Sequence, residues 1–234
     1  MTDKVTYQES EGGVAVLRID DGKVNALSLD LISDLQGALD RAEDDGRAVV
    51  LLGRTGKFSA GFDMKAMNGG LDGARELLLG GAELLMRLYG FPRPVVVGCT
   101  GHAIAAGALI LLSADYRVGA AGPFKVGLNE TAIALRLPFF GLEIARERIP
   151  KNYLTPAVLM ATLYGPEDAV PVGYLDTVVA QEEVESSALV AAAAMAALPP
   201  KAFAGTKKRM REPTLQLIRE TLVSDMNDLA GAFG

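Results

Sequence analysis

The sequence holds no tryptophan, one histidine (His102) and one cysteine (Cys99). A lone thiol excludes an internal disulfide, and one cysteine beside one histidine gives no ligand set of the kind zinc sites are built from. No metal is expected. Cys99 ends the apolar run Val95-Val96-Val97-Gly98, which marks it as a core residue rather than a thiol activated by positive charge. Positive charge is scarce too. Against 29 Asp and Glu stand 23 Lys and Arg, a net charge of -6, whereas nucleic acid and polyanionic membrane surfaces call for a cationic footprint. The one basic cluster, Lys207-Lys208-Arg209-Met210-Arg211, reads as a solvated helix face. No uninterrupted apolar run approaches the ~20 residues of a bilayer span, and Met1-Thr2-Asp3-Lys4 lacks the charged-then-apolar pattern of a signal peptide. The expectation is a cytoplasmic protein with neither nucleic-acid nor membrane partners.

What the sequence does hold is apolar material: 50% of 234 residues, enough for one main core, since single cores stop growing near ~250 residues. Val5 to Gln8 and Val14 to Ile19 flank Glu11-Gly12-Gly13 and predict a hairpin. Leu31, Ile32, Leu35, Ala38, Leu39 and Ala42 recur at three- and four-residue steps after a capping Ser28, the pattern of an amphipathic helix. Ala48 to Leu52 reads as a strand covered on both faces, leading into the Gly-rich segment Gly53 to Gly61. The plan repeats: a helix over about Ala74 to Leu88, a buried strand Val95 to Cys99, a Gly-rich turn Thr100 to Gly107, and an apolar helix through Ala114. Tyr116 to Val118 and Phe124 to Val126 read as short strands. Recurring strand and helix units predict an α/β fold with a mostly parallel sheet, whose ligands sit where strands end and helices begin. Residues 1–183 form this core. Residues 184–234 form a helical region for packing or oligomerisation: an Ala-rich helix Val184 to Leu198, then two stretches from about Ala202 and Leu215.

The Gly-rich turns leave backbone N–H groups uncovered, which suits an anion or a polarised carbonyl oxygen, although a structural turn looks alike. Neither is a P-loop, because Gly53-Arg54-Thr55-Gly56-Lys57-Phe58 has the wrong spacing and no Ser or Thr after its lysine. Nucleotide hydrolysis is excluded. His102 reads as structural. Glu143 and Glu147, four apart, read as a solvated helix face paired with arginines.

Taken together, Phe58-Ser59-Ala60-Gly61-Phe62-Asp63-Met64-Lys65, Gly101-His102-Ala103-Ile104-Ala105-Ala106-Gly107 and Gly127-Leu128-Asn129-Glu130 form an ordered set that resembles the enoyl-CoA hydratase/isomerase (crotonase) superfamily. The likeness runs from Lys23-Val24-Asn25-Ala26-Leu27 to the C-terminal helices. It implies a ClpP/crotonase-like fold of repeated ββα units with a C-terminal α-helical region, an acyl-CoA substrate, no cofactor beyond the CoA moiety of that substrate, a role in fatty-acid β-oxidation, and a homo-oligomer, either a trimer or a dimer of trimers. It also implies that the backbone N–H groups of Phe62 and Ala106 form an oxyanion hole. Removing a proton beside a thioester carbonyl puts negative charge on its oxygen, and fixed donors in a dry site stabilise that charge by roughly 3–4 kcal/mol each. Ala60, Lys65 and Leu109 are the implied substrate or CoA contacts, with Lys57 or Lys207 as further phosphate candidates.

Hydratases of the superfamily hold a water between two glutamates. Here Glu130 stands at one of those positions and Leu109 at the other. Moving a double bond from C3 to C2 needs a single base, so the resemblance implies a Δ3,Δ2-enoyl-CoA isomerase with Glu130 as catalytic acid and base. Leu128, Ile133, Leu135 and Leu137 around it predict a raised carboxyl pKa. The alternatives are a 2-enoyl-CoA hydratase and a non-catalytic acyl-CoA-binding protein. A serine hydrolase is disfavoured by the absence of a Gly-x-Ser-x-Gly elbow.

Overall fold

A computed structural model describes residues 4–230. The first three residues, on which the leader reading rests, and residues 231–234 of the C-terminal region lie outside the described residues. The large sheet holds β1 (Val5–Ser10), β2 (Val14–Ile19), β3 (Ala48–Leu52), β5 (Val95–Cys99), β7 (Tyr116–Ala120) and β9 (Thr177–Val179), neighbours in that order. β1 and β2 form the expected antiparallel hairpin, and the remaining pairs are parallel. A smaller parallel sheet holds β4 (Gly56–Ser59), β6 (Gly101–Ile104) and β8 (Val126–Gly127).

Each repeating unit thus sends its first strand to the large sheet and its second to the small one, then enters a helix. β3 and β4 lead to the short α2 (Met64–Met67) and α3 (Leu71–Gly90), β5 and β6 to α4 (Ala106–Ser113), and β7 and β8 to α5 (Phe139–Arg148). Two of the segments read as Gly-rich turns are therefore partly strand. Their glycines serve close approach: a β-carbon on Gly101 would stand 2.0 Å from the backbone carbon of Gly56 on the neighbouring strand. Phe124 precedes β8 rather than starting it.

Alternation along the large sheet divides its side chains between two layers. Ala15, Leu17, Val49, Leu51, Val95 and Val97 face the main core with helix α1 (Leu29–Asp44) and with α3 and α4. Val14, Val16, Val50, Leu52, Val96 and Val118 face the other way and are covered by Val184, Ala188 and Ala192 of α6 (Val184–Ala196). Helix α1 is capped as its sequence predicts: the Ser28 side chain accepts from the Leu31 N–H at 3.3 Å.

The two stretches expected after Pro200 are one helix, α7 (Pro200–Ala230), which runs through Pro213. Proline removes one helical hydrogen bond, but buried residues on both sides hold the helix to the body. The same packing corrects the basic cluster. Lys207 and Arg211, one turn apart, are 4% and 1% exposed and close on Asp115, with Lys207 Nζ 2.6 Å from Oδ2 and an Arg211 nitrogen 2.8 Å from Oδ1. Only Lys208, Arg209 and Met210 of the cluster are exposed. Glu143 is also buried and ion-paired with Arg146, because α5 is covered on more than one side and leaves Arg146 and Glu147 as its solvated face. No single described helix is long and apolar enough to cross a membrane.

Candidate active site

The three segments singled out in the sequence leave the C-terminal ends of β4, β6 and β8. Because these strands are parallel neighbours, their ends meet on one side of the small sheet, the usual place for a ligand in such architectures.

The first segment is pinned from below. Asn25, at a φ of 53°, donates from its side chain to the carbonyls of Ile19, Lys57 and Phe58 at 3.1–3.2 Å. The Ser59 hydroxyl donates to the Asn25 carbonyl at 2.8 Å and accepts from the Gly61 N–H at 3.2 Å. Leu27 then bridges to the segment, donating to the Gly61 carbonyl and accepting from the Asp63 N–H. In a parallel bridge those bonds fall on the residues either side of Phe62, so its own N–H is left over, with no acceptor among the described residues.

The second segment turns sharply. Ala105 holds a φ of 52° and ψ of -124°, a conformation that costs a residue with a β-carbon roughly 1–3 kcal/mol and is found where surroundings enforce it. Its N–H donates to the Gly127 carbonyl at 3.0 Å, and its carbonyl accepts from Ala108 and Leu109. Ala106 follows as the first residue of α4, where a backbone N–H has no intrahelical acceptor and lies at the positive end of the helix dipole. It too has no acceptor among the described residues. Two glycines let the segments touch. A β-carbon on Gly107 would stand 2.5 Å from the Ser59 carbonyl oxygen, and one on Gly61 would stand 2.8 Å from the Ala105 β-carbon.

The third segment opens a turn of 3-10 helix, Glu130–Ile133. Glu130 is 9% exposed, and its Oε2 is buried without a partner among the described residues. Burial raises its carboxyl pKa from 4.5 to about 7, outweighing the backbone N–H groups of Glu130 and Asn129 that favour the charged form. Such a group exchanges its proton near neutral pH.

A cavity of about 290 Å³ connects these parts, lined by Ala60, Phe62, Leu109 and Glu130 together with Met64, Met67, Leu78, Asn129, Leu135 and Pro138 among others. Its walls are thus mostly apolar around one carboxyl group. Leu109, 1% exposed, gives that cavity an aliphatic wall residue. The structure brings Ala60, Phe62, Leu109 and Glu130 to one cavity and seats Ala106 behind Gly61, so close that a β-carbon on Gly61 would fall 3.2 Å from the Ala106 nitrogen. Lys65 is exposed on α2 and does not line the cavity, and Lys57 is exposed on β4. Lys207, buried against Asp115, is outside it as well. His102 is exposed on β6, accepting from the Lys125 N–H through Nδ1 at 3.0 Å. Cys99 is buried, its thiol pushed up to about 12 by desolvation. Among the described residues no three His, Cys, Asp or Glu side chains come together as a metal-ligand set. Nothing in the sequence distinguishes Met67, Leu78 and Pro138, because an apolar residue that lines a cavity looks there like one that fills a core.

The enoyl-CoA hydratase/isomerase family model matches residues 9–228. Human mitochondrial enoyl-CoA delta isomerase 1 is 35% identical over 217 residues, covering 88% of this chain and 70% of that protein. The crystal structure of human mitochondrial delta3-delta2-enoyl-CoA isomerase superposes with a TM-score of 0.95 at 32% identity, over 99% of this chain and 92% of that one. An enoyl-CoA hydratase/isomerase family protein from Pseudomonas syringae superposes with a TM-score of 0.95 at 39% identity, over 97% and 99% of the two chains. The extent of these matches and the strand-end geometry agree on the crotonase fold, and the chain belongs to the enoyl-CoA hydratase/isomerase family of enzymes.

Proposed function

We propose that this protein is a Δ3,Δ2-enoyl-CoA isomerase in which Glu130 carries the proton. The observation that carries the reading is that one carboxyl group, desolvated and with an oxygen unpartnered among the described residues, faces a cavity whose second family position is Leu109. The isomerisation fits that inventory. Glu130 as carboxylate takes a proton from C2 of the 3-enoyl thioester, and the electron pair moves onto the thioester oxygen. The N–H groups of Phe62 and Ala106, both without acceptors among the described residues, would stabilise that oxyanion. When the enolate collapses, the double bond forms between C2 and C3, and the pair of the old bond takes the proton back from Glu130 at C4. Nothing is consumed, and the carboxylate is restored.

Hydration asks for more. A base must activate the water while an acid supplies the α-carbon, and the aliphatic side chain of Leu109 can share neither task. The mitochondrial relatives, whose names specify the isomerisation, support the same order. Ala60, in the cavity wall, and Lys65, exposed on the helix after Phe62, are the proposed contacts for the CoA portion. The deciding experiment supplies 3-decenoyl-CoA and, separately, 2-decenoyl-CoA. Rapid appearance of the 2-enoyl product with slow hydration is expected; fast hydration without isomerisation would overturn the reading, and binding without turnover of either would leave a non-catalytic acyl-CoA binder.

A further inference from the structure

Phe62 has two parts with separate prospects. Its amide belongs to the backbone of the site, but its ring lies between the cavity and helix α3, and there it rests on a residue with no side chain. A β-carbon on Gly81 would stand 2.2 Å from Cε1 and 2.4 Å from Cζ of the Phe62 ring. These are overlaps, not contacts. The ring therefore occupies the volume that any larger residue at position 81 would need. Gly81 is buried in the interior of a 20-residue helix, where glycine weakens a helix relative to alanine, so local propensity does not account for it. Leu78, one turn earlier on α3, lines the same cavity as Phe62. Together they form a wall, and the notch at Gly81 determines how far the ring can withdraw into it.

We propose that Gly81 is a specificity-determining residue that sets the acyl length accepted by the cavity, by giving the Phe62 ring a seat outside it. The proposal rests on the acyl-CoA reading of the site. Protein interiors are packed to crystal-like density, so a ring displaced from α3 moves where space already exists, into the cavity of about 290 Å³. Gly81→Ala then shortens the accepted chain while leaving Glu130 and both backbone N–H groups chemically in place.

The test compares kcat/KM for 3-hexenoyl-CoA and 3-dodecenoyl-CoA, alongside calorimetric binding of hexanoyl-CoA and dodecanoyl-CoA, in wild type, Gly81→Ala and Phe62→Ala. Gly81→Ala should lose roughly tenfold or more on the long substrate relative to the short one, the scale of a few misplaced methylenes, with the same shift in binding. Phe62→Ala should move the ratio towards the long chain, and the double variant Gly81→Ala, Phe62→Ala should keep that gain. A long-to-short ratio in Gly81→Ala equal to that of wild type, or a uniform loss at both lengths, overturns the proposal. Should Gly81→Ala not fold, an unchanged ratio in Phe62→Ala overturns it instead. Binding separates the length determinant from the isomerisation: if wild type binds both thioesters but isomerises neither, the isomerase reading fails while the length determinant still stands or falls on the calorimetry. If wild type binds neither, both fall.

Discussion

Gly61 packs against Ala106 so closely that a β-carbon added to it would lie 3.2 Å from the Ala106 amide nitrogen. Gly61 immediately precedes Phe62, so the contact fixes the spacing between the two segments that supply unspent backbone donors. Its φ of 91° is one that residues with a β-carbon rarely adopt. Gly61→Ala should therefore force the segments apart and strain the turn. We expect kcat for isomerisation to fall by roughly 10²–10³, the cost of losing one oxyanion donor, with a smaller change in KM. Steady-state kinetics and a melting curve check this. A variant that stays folded and retains wild-type kcat would show that the two amides do not act on the reacting oxygen.

Glu130 ties activity to pH. Its pKa rises from 4.5 to about 7 in the folded chain, and proton abstraction needs the carboxylate, so kcat/KM should climb about tenfold per unit below roughly pH 7 and level off above it. Stability runs the other way. Between about 4.5 and 7 the folded state keeps a proton that the unfolded state has lost, so stability present below that window is lost as pH rises through it. The loss comes to roughly 3 kcal/mol at one pKa unit per 1.36 kcal/mol. Glu130→Gln, neutral throughout, should cut turnover by ~10²–10⁴ yet melt above wild type near pH 8, with the two curves converging at roughly pH 4.5. Unchanged turnover would remove Glu130 from the mechanism; parallel melting curves would remove its desolvation.

These predictions use residues that the sequence exposes unevenly. Phe62, Ala106 and Glu130 stand out because each lies in a glycine-bearing segment just past the end of a strand, and the order of the three segments carries the family resemblance. Leu27 and Asn25, which hold the first turn, lie in the run Lys23 to Leu27, but their hydrogen bonds to Gly61 and Phe58 join residues more than thirty positions apart, beyond the reach of periodicity. The small sheet is hidden for a different reason. Two of its strands, β4 and β6, are four residues long and begin at glycine, and β8 is Val126–Gly127 alone, so propensity reads turn where the fold has strand. Burial of Lys207 and Arg211 is equally hidden, because a lysine and an arginine one turn apart look like a wet surface until the distant Asp115 is placed beneath them.

That placement is itself testable. Asp115 is the carboxylate that meets two buried cations, and its Oδ2 also accepts from the Val95 N–H at 2.8 Å. Asp115→Asn can retain the bond from Val95 while removing the charge. Lys207 and Arg211 would then remain buried without their counter-ion, a situation that costs about 3–5 kcal/mol. For a chain of this size that lowers the melting temperature by roughly 6–20 °C. Lys207→Met added to Asp115→Asn should recover part of the loss, since it removes one of the stranded charges along with its desolvation. A melting temperature in Asp115→Asn within about 1 °C of wild type would mean that backbone carbonyls, such as that of Tyr89 at 2.6 Å from Arg211, already satisfy both cations.

Leu109 offers a gain of function rather than a loss. It stands three residues into α4 from Ala106, lines the cavity with Glu130, and packs its Cδ1 where a β-carbon on Gly141 would come within 2.9 Å. Leu109→Glu puts a second carboxyl group in that cavity. Two carboxyls sharing an apolar site raise each other's pKa, and one keeps its proton while the other ionises. That division is what hydration of a 2-enoyl thioester needs: a base for the water and an acid for the α-carbon. We expect hydration of 2-decenoyl-CoA to rise by ~10² or more over wild type, isomerisation to fall, and the melting temperature to drop because a buried aliphatic group has become a polar one. Leu109→Gln separates the chemistry from the change of shape, since its side chain has the same size but no proton to exchange. Equal hydration by the two variants would show that space for water, and not the missing carboxylate, is what limits hydration in this site.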